Sequence, residues 1–228
     1  MLFATYAWFM HGFIYYCPST RLSWVHLYLM PVTWASSLLI FFISSGSSPG
    51  QITKKNVKEY LKGAEFDPFV HKEENECKIC GIKRVPRSKH CRLCGFCVPM
   101  IDHHCVWINA CVGEKNYKLF LMFLGIHMVW TTYGFVLSVF AFWEVIDSEH
   151  LLTATFMDKE GNKYTADYMI VAQYLLEAHS PMMFGALIYL VCSVLLILFN
   201  IYHHYLVYLN STTADKMNTS KAQHFYST

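Results

Sequence analysis

Between Cys77 and Cys111 the chain holds seven cysteines and three histidines. They are spaced as Cys77-x2-Cys80, then His90-Cys91-x2-Cys94-x2-Cys97, then Asp102-His103-His104-Cys105, then Cys111. A structural zinc takes four Cys or His ligands, commonly offered by Cys-x2-Cys turns. Two such ions use eight of the ten residues and leave two. If those two are His103 and Cys105, an imidazole and a thiol stand two positions apart beside the carboxylate of Asp102. Nucleophilic thiol catalysis requires such a pair.

Further residues at fixed spacing surround this run: Arg84, Arg87, Trp107, Asn109, Gly113, Asn116 and Phe120. With the ten ligand candidates and Asp102, they resemble the cysteine-rich signature of the DHHC-type protein S-acyltransferases (palmitoyltransferases). The resemblance covers about 45–120 and 210–215. Val85, Val106 and Ala110 depart from it, as does Ser48 in Ser48-Pro49-Gly50, where the family carries Asp-Pro-Gly. The Val substitutions and the 144–181 loop resemble the subgroup of the fourth human member.

Side chains of consecutive extended residues point to opposite faces, so adjacent His90 and Cys91 should serve different metals. That predicts interleaved sites, with Cys77, Cys80, His90 and Cys97 on one zinc. Cys91, Cys94 and Cys111 fall to the other, with one of His103 and His104; spacing does not choose between these two. The resemblance implies His104 as the fourth ligand, His103 as general base, Cys105 as nucleophile and Asp102 as the group orienting the imidazole. It also implies two structural zinc ions, palmitoyl-coenzyme A as acyl donor and membrane-associated proteins as acceptors. Thr213, in Thr212-Thr213-Ala214-Asp215, is implied to hydrogen-bond Asp102. Trp107, Phe120 and Phe123 are implied to line the acyl cavity. Trp130, further along the same helix, is a candidate floor for that cavity or an ordinary packing residue. Lys83, Arg84 and Arg87 belong to a basic cluster suited to coenzyme A phosphates, or to a plain solvated face.

The elements that position these groups are read from composition. The chain of 228 residues is 54% hydrophobic and 15% charged, a balance typical of membrane proteins. Apolar stretches at Trp24–Ser44, Leu119–Trp143 and Met182–Leu209 are long enough to span a bilayer. Leu2–Tyr16 is shorter, and is read as a shortened first span or one whose start is missing. The expected fold is a membrane all-α protein: a four-helix transmembrane bundle with a zinc-binding domain of short β-hairpins and loops between helices 2 and 3. The expected organisation is helices 1 and 2 in 1–45, the cysteine-rich domain in 46–118, helix 3 in 119–143, a loop in 144–181, helix 4 in 182–209 and a tail in 210–228.

Thirteen of the 18 Lys and Arg lie between Gly46 and Lys118, which predicts that this segment and both termini are cytosolic and 144–181 luminal. Clustered Cys-x2-Cys pairs fit a reducing compartment. The membrane expected is that of the endoplasmic reticulum or Golgi. In the loop, a hairpin turn is expected at Lys159-Glu160-Gly161-Asn162, and a helix too short to span at Tyr168–Ala178. Sequons at Asn210 and Asn218 fall on the side where glycosylation is not expected. Cys17 and Cys192 read as small core residues, and no internal repeat is evident. Membrane spans and the lack of a basic recognition helix exclude a nucleic-acid module. The absence of charges along the spans argues against a transporter. The alternative within the family is an inactive scaffold that keeps the zinc fold.

Overall fold

The structure, a computed structural model, describes residues 13–62, 76–157 and 160–217. Three of its helices are long and apolar enough to cross a membrane: α1 (His26–Gly46), α3 (Tyr117–Ser148) and α5 (Ser180–Tyr208). At 1.5 Å per residue even the shortest is about 30 Å long, the thickness of a bilayer's hydrocarbon core. Large apolar side chains such as Leu39, Phe42, Val139, Leu195 and Leu198 stay exposed on them, as helices solvated by lipid require. Of the stretch expected as the first span, Phe13–Tyr16 forms a single 3-10 turn; its earlier residues lie outside the described ones.

The chain divides into two compact units, with boundaries inside α1, α3 and α5. The first comprises residues up to Leu38 together with Gly125–Leu198. Its core gathers Phe13, Leu22, Met30, Trp130, Leu137, Val145, Val171, Leu175 and Tyr189. Gly134 lets the Tyr189 ring close in, since a β-carbon there would lie 2.6 Å from it. α3 runs past the apolar stretch to Ser148, because Glu144 and Asp147 both pair with Arg21 and keep that last turn anchored. Beyond it, β7 (Thr155–Met157) and β8 (Lys163–Thr165) pair antiparallel. Of the expected turn, Lys159 lies outside the described residues. α4 (Tyr168–Ala178) starts on an Asp167 cap that accepts from the Ile170 amide at 2.8 Å.

The second unit, Leu39–Leu124 with the chain from Phe199 onward, contains the cysteine-rich segment. Here α2 (Val57–Lys62) precedes three two-stranded hairpins: β1 (Glu76–Cys77) with β2 (Ile82–Lys83), β3 (Lys89–Cys91) with β4 (Phe96–Val98), and β5 (His103–Cys105) with β6 (Ala110–Val112). Among the described residues their apolar support is slight, with small clusters around Ile52, Ile82 and Val85 and around Val98 and Ile101. Gly113 is required where the segments converge. A β-carbon on it would stand 2.5 Å from the Val98 side chain and 2.9 Å from the Pro49 carbonyl oxygen. Buried Asn116 accepts from the Gly113 amide and donates to the Cys111 carbonyl and to Ser47.

Candidate active site and metal centres

The three hairpins repeat one local design. Cys77 pairs with Ile82, Cys91 with Phe96 and Cys105 with Ala110, the same five-residue offset each time. The residue four after each leading cysteine has positive φ: Gly81 (61°), Gly95 (77°) and Asn109 (48°). Glycine takes this conformation without steric penalty, and asparagine tolerates it better than other side chains. In each turn the backbone amides two and three positions on approach the leading sulfur and favour its thiolate, the Cys94 amide donating to Cys91 Sγ at 3.4 Å. These amides are those of Ile79 and Cys80 at Cys77, Leu93 and Cys94 at Cys91, and Trp107 and Ile108 at Cys105. The third turn has Ile108 where the first two have a second cysteine.

Across each of the second and third hairpins a histidine faces a cysteine in register: His90 opposite Cys97, and His104 opposite Cys111. Each such pair joins the Cys-x2-Cys turn of the preceding hairpin. The resulting groups are Cys77, Cys80, His90, Cys97 and Cys91, Cys94, His104, Cys111, with ligand atoms within 4.8 Å of one another. Tetrahedral zinc at its usual bond lengths separates two sulfurs by about 3.8 Å and a sulfur from a nitrogen by about 3.6 Å. In the first group the Cys80 and Cys97 sulfurs lie 3.3 and 3.9 Å from His90 Nδ1 and 3.8 Å from each other. In the second, three sulfurs lie 3.3–3.6 Å from His104 Nδ1, and Cys94 and Cys111 are 3.5 Å apart. Both donor sets fit zinc, and both have four ligands, as structural sites do.

Strand alternation turns His103 and Cys105 to one face and His104 to the other. His103 Nδ1 lies 2.7 Å from Asp102 Oδ2, which leaves Nε2 as the ring nitrogen for the Cys105 thiol. Cys105 is buried and belongs to neither metal group. Burial acts to raise its thiol pKa, but His103 and the amides of Trp107 and Ile108 outweigh that and hold it below the ordinary thiol value. Burial likewise acts to lower the imidazole of His103. Asp102 and Cys105 reverse the effect and push it up to about 9. Asp102 is buried, which would raise its carboxyl, yet hydrogen bonds from His103 and Thr213 keep it below its usual range. These three shifts favour a thiolate–imidazolium pair backed by a carboxylate.

The chain after α5 reaches back to this group. α5 ends in a Schellman motif: Asn210 has positive φ, its amide donates to the Val207 carbonyl, and the Ser211 amide donates to Leu206. The first sequon is therefore a helix stop in this fold; Asn218 lies outside the described residues. Thr212 and Asp215 then form a reciprocal capping box, each side chain accepting from the other's amide. That leaves the Thr213 amide to donate to Asp102 Oδ1 at 2.8 Å. Arg87 fastens the box, donating to Asp215 at 2.7 and 3.0 Å and to the Asn210 carbonyl at 3.0 Å. Asp215→Ala is expected to speed exchange of the Thr213 amide about fivefold, as loss of a cap worth ~1 kcal/mol would. Hydrogen exchange read by mass spectrometry checks this.

Other candidates fall in varied surroundings. Phe120 and Phe123 are buried and stacked, their ring centroids 6.2 Å apart, and Phe120 packs edge-on to His103 at 5.3 Å. Trp107 is 78% exposed on the third turn and does not join them. Trp130 belongs to the first unit, buried against Tyr189 and His127. Lys83 and Arg84 are exposed, whereas Arg87 is half-buried and paired with Asp215. Two residues that the spacing of the signature does not reach complete the site. His203 on α5 is fully buried, its ring 6.0 Å from that of His103, and Tyr117 Oη lies 2.9 Å from its Nδ1. The signal for His203 was a histidine inside an otherwise uncharged span.

A family model described as DHHC palmitoyltransferase matches residues 70–220. Palmitoyltransferase ZDHHC4 of Mus musculus is 32% identical over 201 residues, which cover 88% of this chain and 58% of that protein. Its Bos taurus counterpart is 32% identical over 216 residues, 94% of this chain and 62% of that protein. Palmitoyltransferase SWF1 of Eremothecium gossypii is 48% identical over 73 residues, 32% of this chain and 22% of that protein. The chain thus spans about three fifths of the length of the ZDHHC4 relatives it matches.

Proposed function

The chain belongs to the DHHC palmitoyltransferase family, and we propose that it is a protein S-acyltransferase working through an acyl-enzyme at Cys105. The observation that carries this reading is the third hairpin. It holds a buried thiol outside both metal groups, facing an imidazole that Asp102 and the Thr213 amide keep in place. The thiolate of Cys105 attacks the thioester carbon of palmitoyl-coenzyme A; the new carbon–sulfur bond forms as the bond to coenzyme A breaks. The departing thiolate takes the proton from the His103 imidazolium. In the second half, His103 accepts the proton of an acceptor protein's cysteine, whose sulfur displaces Cys105. One thioester replaces another at each step, so the task is to lower the barrier rather than to drive the equilibrium.

Zinc in the two tetrads would fix the hairpins and so the seat of Cys105, acting structurally. The buried Phe120 and Phe123 beside His103 suit the first carbons of the acyl chain. Trp130, ten residues after Phe120 on the same helix, is the candidate that sets chain length. Lys83 and Arg84 suit the coenzyme A phosphates. The orientation read from the basic residues, with 46–118 and both termini cytosolic and 144–181 luminal, presents Cys105 at the cytosolic face of an endoplasmic reticulum or Golgi membrane. A fourth span preceding residue 17 completes the bundle in this reading.

The test is to incubate the purified protein with labelled palmitoyl-coenzyme A and map the label by peptide mass spectrometry. A hydroxylamine-labile acyl group on the Cys105 peptide is expected. A zinc-loaded protein that takes up no label would favour the scaffold reading.

A further inference from the structure

His203 has a buried nitrogen to account for. Its side chain is fully buried, Nδ1 is engaged by Tyr117 Oη at 2.9 Å, and Nε2 has no hydrogen-bond partner among the described residues. A buried polar nitrogen without a partner is costly to keep, so its retention calls for a partner that arrives later. Its place suggests which one. A ring nitrogen of His203 lies within 4.8 Å of the reactive atoms of Asp102 and His103. The ring is clamped edge-on by Phe199 at 4.5 Å and Phe120 at 5.1 Å. In the tautomer where the Tyr117 phenol donates to Nδ1, the ring proton sits on Nε2, and His203 is then an N–H donor in an apolar wall beside the base.

We propose that His203 Nε2–H receives the carbonyl oxygen of the acyl thioester and stabilises the oxyanion formed when Cys105 attacks, with Tyr117 fixing the tautomer. The inference rests on the S-acyltransferase reading. Attack moves the carbonyl π pair onto oxygen as the Cys105–carbon bond forms. The pair returns when the carbon–sulfur bond to coenzyme A breaks, and coenzyme A leaves with the proton from His103. A preorganised donor outside water is worth most at the instant that charge appears. His103 cannot fill this role, because its own Nε2 faces the sulfur.

The experiment compares two reactions of one thiol. Single-turnover acylation by palmitoyl-coenzyme A passes through an oxyanion, whereas alkylation of Cys105 by iodoacetamide does not; both need the His103–Cys105 pair. His203→Phe, with its two zinc ions retained, is expected to acylate about 10²-fold more slowly than wild type while alkylating at the same rate. His203→Gln, which restores an N–H donor, should recover part of the loss. Tyr117→Phe should slow acylation alone, and it carries the test if His203→Phe loses zinc. Equal losses in acylation and alkylation would mean that His203 merely packs His103, and would overturn the proposal. So would wild-type acylation in zinc-loaded His203→Phe or Tyr117→Phe. An unlabelled wild type would overturn the acyltransferase reading and this inference together, whereas with a labelled wild type the variants bear on His203 alone.

Discussion

Cys105→Ala is expected to abolish the hydroxylamine-labile acyl group while two zinc ions per chain remain bound, and His103→Gln to form the group about 10³-fold more slowly. The separation of chemistry from metal follows from the strand: Cys105 and His103 face away from His104, so neither change touches a ligand. His103→Gln removes the partner that holds the thiol below its ordinary pKa. Alkylation of the wild-type thiol should therefore set in at lower pH than that of the variant, because the ion pair holds the thiol below its ordinary value. The variant's rate should climb tenfold per pH unit toward the ordinary thiol range. Stopped alkylation followed by peptide mass spectrometry gives both profiles, and parallel profiles would remove His103 from the mechanism. Acylation measured on the same preparations, with zinc determined by atomic absorption, separates lost chemistry from lost fold.

The second large effect concerns the metals. Cys94→Ser is expected to leave no more than one zinc per chain and to open 77–111 to trypsin, which cuts at its Lys and Arg residues. The small apolar clusters of the hairpin region offer little to replace a structural zinc, which contributes about 10–16 kcal/mol to domains of this kind. Because Cys94 shares its site with His104 and Cys111, the neighbours of Cys105 in the third hairpin lose their anchor as well. Acylation should disappear together with the metal. Full acylation by a protein that retained one zinc would show that the second site does not hold the nucleophile in place.

Much of this site was legible because metal chemistry leaves fixed spacings. The Cys-x2-Cys turns, and the opposition of His90 to Cys91, lead to the same two tetrads that the hairpin registers assemble. The choice between His103 and His104 was not fixed by spacing. It depends on which histidine faces Cys111 across a strand, a register that forms only with the hairpin. The long helices were legible as apolar runs. Their ends were less so, because apolar length measures the lipid layer while Arg21, far off in sequence, holds the last turn of α3. Arg87 illustrates a partner that sequence does not show. In sequence it is one of several cations beside the ligands, and only the folded tail supplies Asp215 to claim it. The repeated turn is hidden in the sequence because Ile108 and Asn109 stand where the pattern has Cys and Gly, a likeness of backbone behind a difference of side chains.

That repetition bears on how such a nucleophile comes to exist. The first two turns each lend their leading thiol to a metal because the next hairpin brings a His–Cys strand pair to share it. No hairpin follows the third turn within the cysteine-rich segment among the described residues, and Ile108 offers no second sulfur, so the thiol of Cys105 keeps the amide surroundings of a ligand and stays outside both metal groups. A lineage with this module need not assemble a thiolate-stabilising pocket anew. It has only to end the series one hairpin early and set an imidazole where the cation would have been.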